Sequence, residues 1–163
     1  MKENCVVIWL GGHATHLPGG VDEYKMRQDI AAARIVFGCG IPLVHLPCNG
    51  VVDRFLTTQQ ELAYWLKGKN DLCDYLYHRT VNEAELFAKG RPWSRVIWDV
   101  TAVAWLLNTH GKFMQDRLVP SPIPGYDKAY SFDPMRHEIR SVYRINRDRL
   151  FEDLFQTLAA FES

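Results

Sequence analysis

The stretch CVVIWLGG, residues 5–12, decides how the rest of this sequence is read. Cys5 to Leu10 is an unbroken apolar run of strand length, closed by the pair Gly11-Gly12. A strand buried on both faces has this pattern, and such strands belong to parallel sheets. Residues 28–37 then predict a helix, with Ile30, Ala33 and Phe37 on one stripe and Gly38 as its stop. IPLVHL, residues 41–46, predicts a second buried strand, bounded by Pro47. Strand, helix and strand in so short a span make a βαβ unit, whose crossover is expected to be right-handed.

Outward from that unit, Thr58-x-x-Glu61 is a capping-box pattern opening a helix towards Leu66. Lys67 to Asn70 reads as a turn. Residues 71–87 predict the next helix, with Leu72, Tyr75, Leu76 and Leu86 among its apolar positions, and Gly90-Arg91-Pro92 breaks the chain. Val100 to Leu107 is apolar on every side, which predicts a helix buried inside the protein. Residues 109–134 hold Pro120, Pro122, Pro124, Gly125 and Pro134, and read as a long ordered loop with short extended pieces. Residues 139–145 predict a strand. Asn146 is placed to cap a last helix carrying Leu150, Leu154, Phe155 and Leu158 as a core stripe. No repeat or linker interrupts the chain, so a single α/β domain over residues 1–163 is expected, with a mostly parallel sheet flanked by helices.

Composition narrows the function. The 163 residues carry 19 Lys+Arg and 19 Asp+Glu, a formal net charge of zero. Nucleic-acid binding normally demands a basic face, so it is not expected. No apolar run approaches the ~20 residues that span a bilayer. A hydrophobic fraction of 47% fills a core and excludes disorder. The apolar start is short for a signal peptide and lacks a small-residue cleavage site. Cys5, Cys39, Cys48 and Cys73 form no CxxC, which predicts a reduced, cytoplasmic protein with mostly buried thiols.

Five places carry candidate chemistry. The loop GGHATHLPGGVDEYK follows the first strand, and ligands of parallel sheets bind beyond the carboxyl ends of strands; an ordinary turn fits it equally. His13-x-x-His16 has a zinc-compatible spacing but no third ligand, so local hydrogen bonding is the stronger reading. Asp22-Glu23-Tyr24-Lys25 offers carboxylates for a polyol, although a salt-bridged helix start has the same composition. Asp99, between Trp98 and an apolar helix, suits either a cap accepting from the amides of residues 101 and 102 or a calcium or magnesium ligand. The aromatics are numerous, with 5 Trp, 7 Tyr and 8 Phe. Trp65, Trp93, Trp98 and Trp105 are expected mainly in the core.

Taken together these segments resemble the inosine-uridine-preferring nucleoside hydrolases. The resemblance rests on Trp9-Leu10-Gly11-Gly12, on residues 22–33, which look like the family's Glu-(Phe/Tyr)-Asn followed by Asp-x-x-Ala-Ala, on Gly40-Ile41-Pro42-Leu43-Val44, and on Trp98-Asp99 before an apolar helix. It implies a Rossmann-like core, of which this chain covers roughly the C-terminal half. It also implies cleavage of the N-glycosidic bond of ribonucleosides, in purine and pyrimidine salvage, with calcium binding the ribose hydroxyls and the attacking water. By the resemblance Asp99 matches the late calcium-ligand aspartate, Glu23 the glutamate on the ribose hydroxyls, and Tyr24 an aromatic lining the sugar site.

Two positions depart from that pattern. Lys25 stands where the family has a ribose-binding asparagine, and an ammonium offers donors only. Trp98 stands where many members have a histidine that assists the leaving base, and an indole is no general acid. The family's upstream ribose-binding asparagine has no clear counterpart, Gly20 being nearest. The N-terminal Asp-x-Asp-x-Gly-x-Asp-Asp run, which supplies most calcium ligands, does not occur in this sequence. The expectation is a truncated chain with no complete catalytic set, inactive by itself and binding calcium weakly. The alternatives are a non-catalytic nucleoside- or ribose-binding or assembly module, or one half of a split enzyme. An exposed sheet edge at Cys5 to Leu10 further predicts a homo-oligomer that covers it.

Overall fold

The computed structural model describes residues 4–162. In chain order its elements are β1 (Val7–Leu10), α1 (Tyr24–Gln28), α2 (Ile30–Gly38), β2 (Leu43–Leu46), β3 (Leu56–Thr57), α3 (Gln59–Trp65), α4 (Asp71–Ala88), β4 (Arg95–Val96), α5 (Val100–Leu106), β5 (Met114–Pro120), β6 (Ile123–Pro124), β7 (Tyr130–Ser131), β8 (Glu138–Ile145) and α6 (Arg147–Ala159). They fall into two compact units. The first runs to Arg54 and resumes over Trp98–Ile145; the second joins Phe55–Ile97 to the residues from Asn146 onward.

The first unit is built on a four-stranded sheet of order β1-β2-β8-β5. β1 and β2 are parallel in register from Val7 opposite Leu43 to Leu10 opposite Leu46. β8 joins β2 in parallel, and β5 joins β8 antiparallel with a bulge at Gln115 and Asp116. The expected mostly parallel sheet with helices is therefore present. One face packs Val7, Trp9, Leu43, Ile139 and Val119 with Ala33 and Phe37 of α2. α2 starts where Asp29 Oδ1 accepts from the Ala32 amide at 2.8 Å, supplying the cap that a helix start requires.

Three expectations are corrected in this unit. Residues 114–120 form a seven-residue strand rather than loop. Its proline is terminal and β5 lies at the sheet edge, where a missing N–H breaks no interior ladder. α5 is not buried on every side: Thr101 and Ala104 face inward, while Val103, Leu106 and Leu107 are 60%, 62% and 57% exposed. Asp99 does not cap α5 with its side chain; the Thr101 hydroxyl instead donates to the Trp98 carbonyl, at 2.6 Å.

The second unit forms around Phe55, which stacks on Phe151 at 4.1 Å between ring centroids; Phe151 in turn stacks on Phe155 at 5.1 Å. Thr58 caps α3 by accepting from the Glu61 amide, as the capping pattern predicts. The Glu61 carboxylate does not return to that cap: it accepts from the Thr57 hydroxyl and pairs with Arg147. Asn70 caps α4 with Oδ1 and donates from Nδ2 to the Leu158 carbonyl at 2.9 Å. α4 buries Cys73, Tyr77, Val81 and Ala84, whereas Tyr75 and Leu86 are exposed. The buried stripe therefore runs through Cys73, Tyr77, Val81 and Ala84, a different face from the one the sequence pattern singles out. Trp65, Trp93, Trp98 and Trp105 are exposed or half-buried rather than core residues. Of the four unpaired cysteines, Cys48 and Cys73 are buried, Cys39 is half-buried and Cys5 is exposed. No helix among the described residues is long and apolar enough to cross a membrane.

Candidate functional site

The two parallel strands β1 and β2 end side by side, and the segments that follow them are tied together. The Gly11 amide donates to the Leu46 carbonyl, the Cys48 amide to the Gly12 carbonyl at 2.8 Å, and the Ala14 amide to the Asn49 carbonyl at 2.9 Å. Gly12 has φ +70°, and a Cβ there would stand 2.1 Å from the Tyr130 hydroxyl oxygen. Only glycine fits both that backbone and that contact. The result is a crevice of about 470 Å³ at the carboxyl ends of the strands, lined by the loop after β1, the start of α1, Cys48 and Asn49, and the Trp98-Asp99 segment. The residues singled out at 22–25 and 98–99 are brought together here, although 74 positions separate Lys25 from Asp99.

Glu23 is 8% exposed. Its Oε2 accepts from the Gly12 amide at 2.8 Å and from the Lys25 and Met26 amides at 3.1 Å each. It thereby caps α1 and pins the glycine loop onto that helix. Lys25 Nζ pairs with Asp99 Oδ1. Asp22 pairs with Lys128 at 3.1 Å and Arg27 at 3.4 Å; chiefly the Lys128 hydrogen bond holds its carboxyl below the usual range. Tyr24 is exposed and Trp98 half-buried.

His13 and His16 do not converge on a metal. The His13 ring accepts from the Asn49 amide at 3.3 Å and His16 is exposed. Cys48 and Asn49 line the crevice without having been singled out in the sequence as site residues, and Tyr130 packs beneath the glycine loop, against Gly12 and the core. The signal for the first two was their position after β2, which mirrors that of Gly11 and Gly12 after β1. Burial, reinforced by the Glu23 charge, pushes the Cys48 thiol up to about 12, so it is no nucleophile near neutral pH. Burial likewise pushes the Tyr130 phenol above its ordinary range.

Calcium takes six to eight oxygen ligands. Of the three carboxylates at this crevice, Asp22 and Asp99 are held by ammonium or guanidinium groups and Glu23 by backbone amides. No group of three or more metal-capable side chains occurs among the described residues. An ammonium beside Asp99 also repels a second cation. The side chains present do not fit a calcium ion.

No family model and no curated protein matches the chain. Solved structures do. A plant nucleoside hydrolase superposes with a TM-score of 0.74 at 18% identity, covering 92% of this chain and 52% of its own. The inosine-uridine preferring nucleoside hydrolase of Bacillus anthracis gives 0.66 at 21% identity, with 93% and 50% covered. This chain has the fold found in nucleoside hydrolases and spans about half the length of those two proteins.

Proposed function

We propose that the crevice receives the ribosyl part of a nucleoside and that this chain by itself does not hydrolyse it. The observation carrying the reading is the Lys25 and Asp99 ion pair. It sets a fixed positive and negative group at the strand ends, where parallel sheets bind ligands. It also neutralises the carboxylate that the sequence resemblance assigns to calcium. In this reading sugar hydroxyls exchange hydrogen bonds with Lys25, Asp99 and Glu23, while Tyr24 and Trp98 offer aromatic faces to sugar and base. Such a protein senses or carries a salvage substrate rather than consuming it. Calorimetry with ribose, inosine and uridine, with and without calcium, tests this beside an assay for released base. Binding that calcium leaves unchanged, with no base released, is expected. Calcium-dependent turnover by this chain, or tight calcium binding, overturns it.

A second reading, assembly, is favoured by the exposed apolar side of α5 beside the edge strand β1. The partner proposed is a second copy of this chain. Four unpaired cysteines support a reducing compartment, the cytoplasm.

A further inference from the structure

The sheet of the first unit carries a second cavity, on the face that packs against α2. Its floor is a row of residues opposed across three strands. His45 on β2 lies opposite Ser141 on β8, and Ser141 lies opposite Arg117 on β5. Neighbouring strands lie about 4.7–4.9 Å apart, so three opposed side chains on one face form a continuous line. Two residues along, the same face turns apolar with Leu43, Ile139 and Val119. Pro122 and Phe132 help close a volume of about 300 Å³, the size of a site for a small molecule.

The row has a fixed polarity. His45 is 1% exposed and lines this cavity. Its Nε2 lies 2.8 Å from the Gly11 carbonyl oxygen, which can only accept, so Nε2 carries the proton. Burial pushes the imidazole down to about 4, so the ring is neutral at pH 7 and Nδ1 is an acceptor. Nδ1 is buried with no hydrogen-bond partner among the described residues, a costly state for a polar atom. At the other end Arg117 is exposed, with its guanidinium 5.9 Å from the Tyr143 ring centroid. Asp133 also lines the rim; its Oδ1 accepts from the Met135 amide at 2.9 Å, and its charge makes the Arg117 end, not the rim, the place for an anion. The sequence of groups is therefore acceptor, hydroxyl, guanidinium.

We propose that the row of His45, Ser141 and Arg117 binds a small hydroxycarboxylate, whose hydroxyl donates to His45 Nδ1 and whose carboxylate accepts from Ser141 Oγ and the Arg117 fork. The site is separate from the crevice at the strand ends and does not rest on the ribosyl reading. His45 connects the two, because its other nitrogen holds the first glycine of the loop that lines the crevice.

Calorimetry of the whole chain with L-lactate and D-glycerate tests the proposal, with propionate, which lacks the hydroxyl, and glycerol, which lacks the carboxylate, as controls. His45 is too buried to vary without risk to folding, so its Nδ1 is followed by nitrogen NMR in the unaltered protein. Expected are binding of lactate or glycerate, a shift of the Nδ1 resonance, and at least about tenfold weaker binding of both controls. Arg117→Gln, at an exposed position, loses about tenfold or more with an unchanged urea midpoint, and Ser141→Ala loses a few-fold. Three results overturn it: no heat and no Nδ1 shift at about 10 mM ligand, where an ordered water alone satisfies His45; propionate binding as well as lactate; or Arg117→Gln binding as well as the original.

Discussion

Glu23 serves the fold before it serves any ligand. One carboxylate oxygen satisfies three backbone amides, including that of Gly12 at a positive φ. Glu23→Ala removes a helix cap and orphans a buried donor, so it costs about 2–4 kcal/mol in urea unfolding. Glu23→Gln keeps an acceptor oxygen and costs about 1 kcal/mol or less. Equal effects of the two substitutions contradict the capping role. His45 makes a prediction of opposite origin. Its folded value of about 4, set mainly by burial and opposed by the Gly11 hydrogen bond and the Glu23 charge, lies below the ordinary imidazole value of 6.5. The unfolded chain therefore binds the extra proton first. Stability is fully present above about pH 6.5 and falls as pH drops towards 4, by roughly 2 kcal/mol between pH 7 and pH 5. Denaturation midpoints that stay flat over that range contradict it. Glu23 stands out in the sequence as a candidate residue beside the glycine loop, but its amide partners do not, because they depend on how that loop folds back on a helix.

Among the elements, those with a strong period or cap were legible and those defined by neighbours were not. β1, α2 and β2 follow directly from the apolar runs at residues 5–10 and 41–46 and the helix between them. Asn70 and Asn146 cap as their side chains dictate. β5 was not legible, because the prolines at its end and beyond hide a strand whose one partner among the described residues, β8, comes later in the chain. α5 misled in the other direction: an apolar composition reads as burial, yet composition does not say how many sides are covered. Its exposed Val103 and Leu106, next to the edge strand β1, argue at this scale for self-association. Light scattering after size exclusion is expected to find a dimer or larger species at micromolar concentration. The double substitution Val103→Lys and Leu106→Lys is expected to shift it to monomer without lowering the melting temperature. A monomeric starting protein contradicts the assembly.

For the whole molecule, the sequence by itself determined the βαβ start, the α/β class, and the nearness in kind to nucleoside hydrolases that the superpositions bear out at the level of fold. These are local properties: periodicity, capping residues and turn glycines act over a few positions, where chain order and spatial order coincide. The single polypeptide also declares its departures, Lys25 and Trp98, at the residue level. Only the tertiary structure decided what those departures do. It brought Lys25 onto Asp99 across 74 positions, turned a candidate metal carboxylate into half of an ion pair, and aligned His45, Ser141 and Arg117 from three strands into one row. Pairings of that kind are fixed by strand register and loop closure, which no residue type announces on its own.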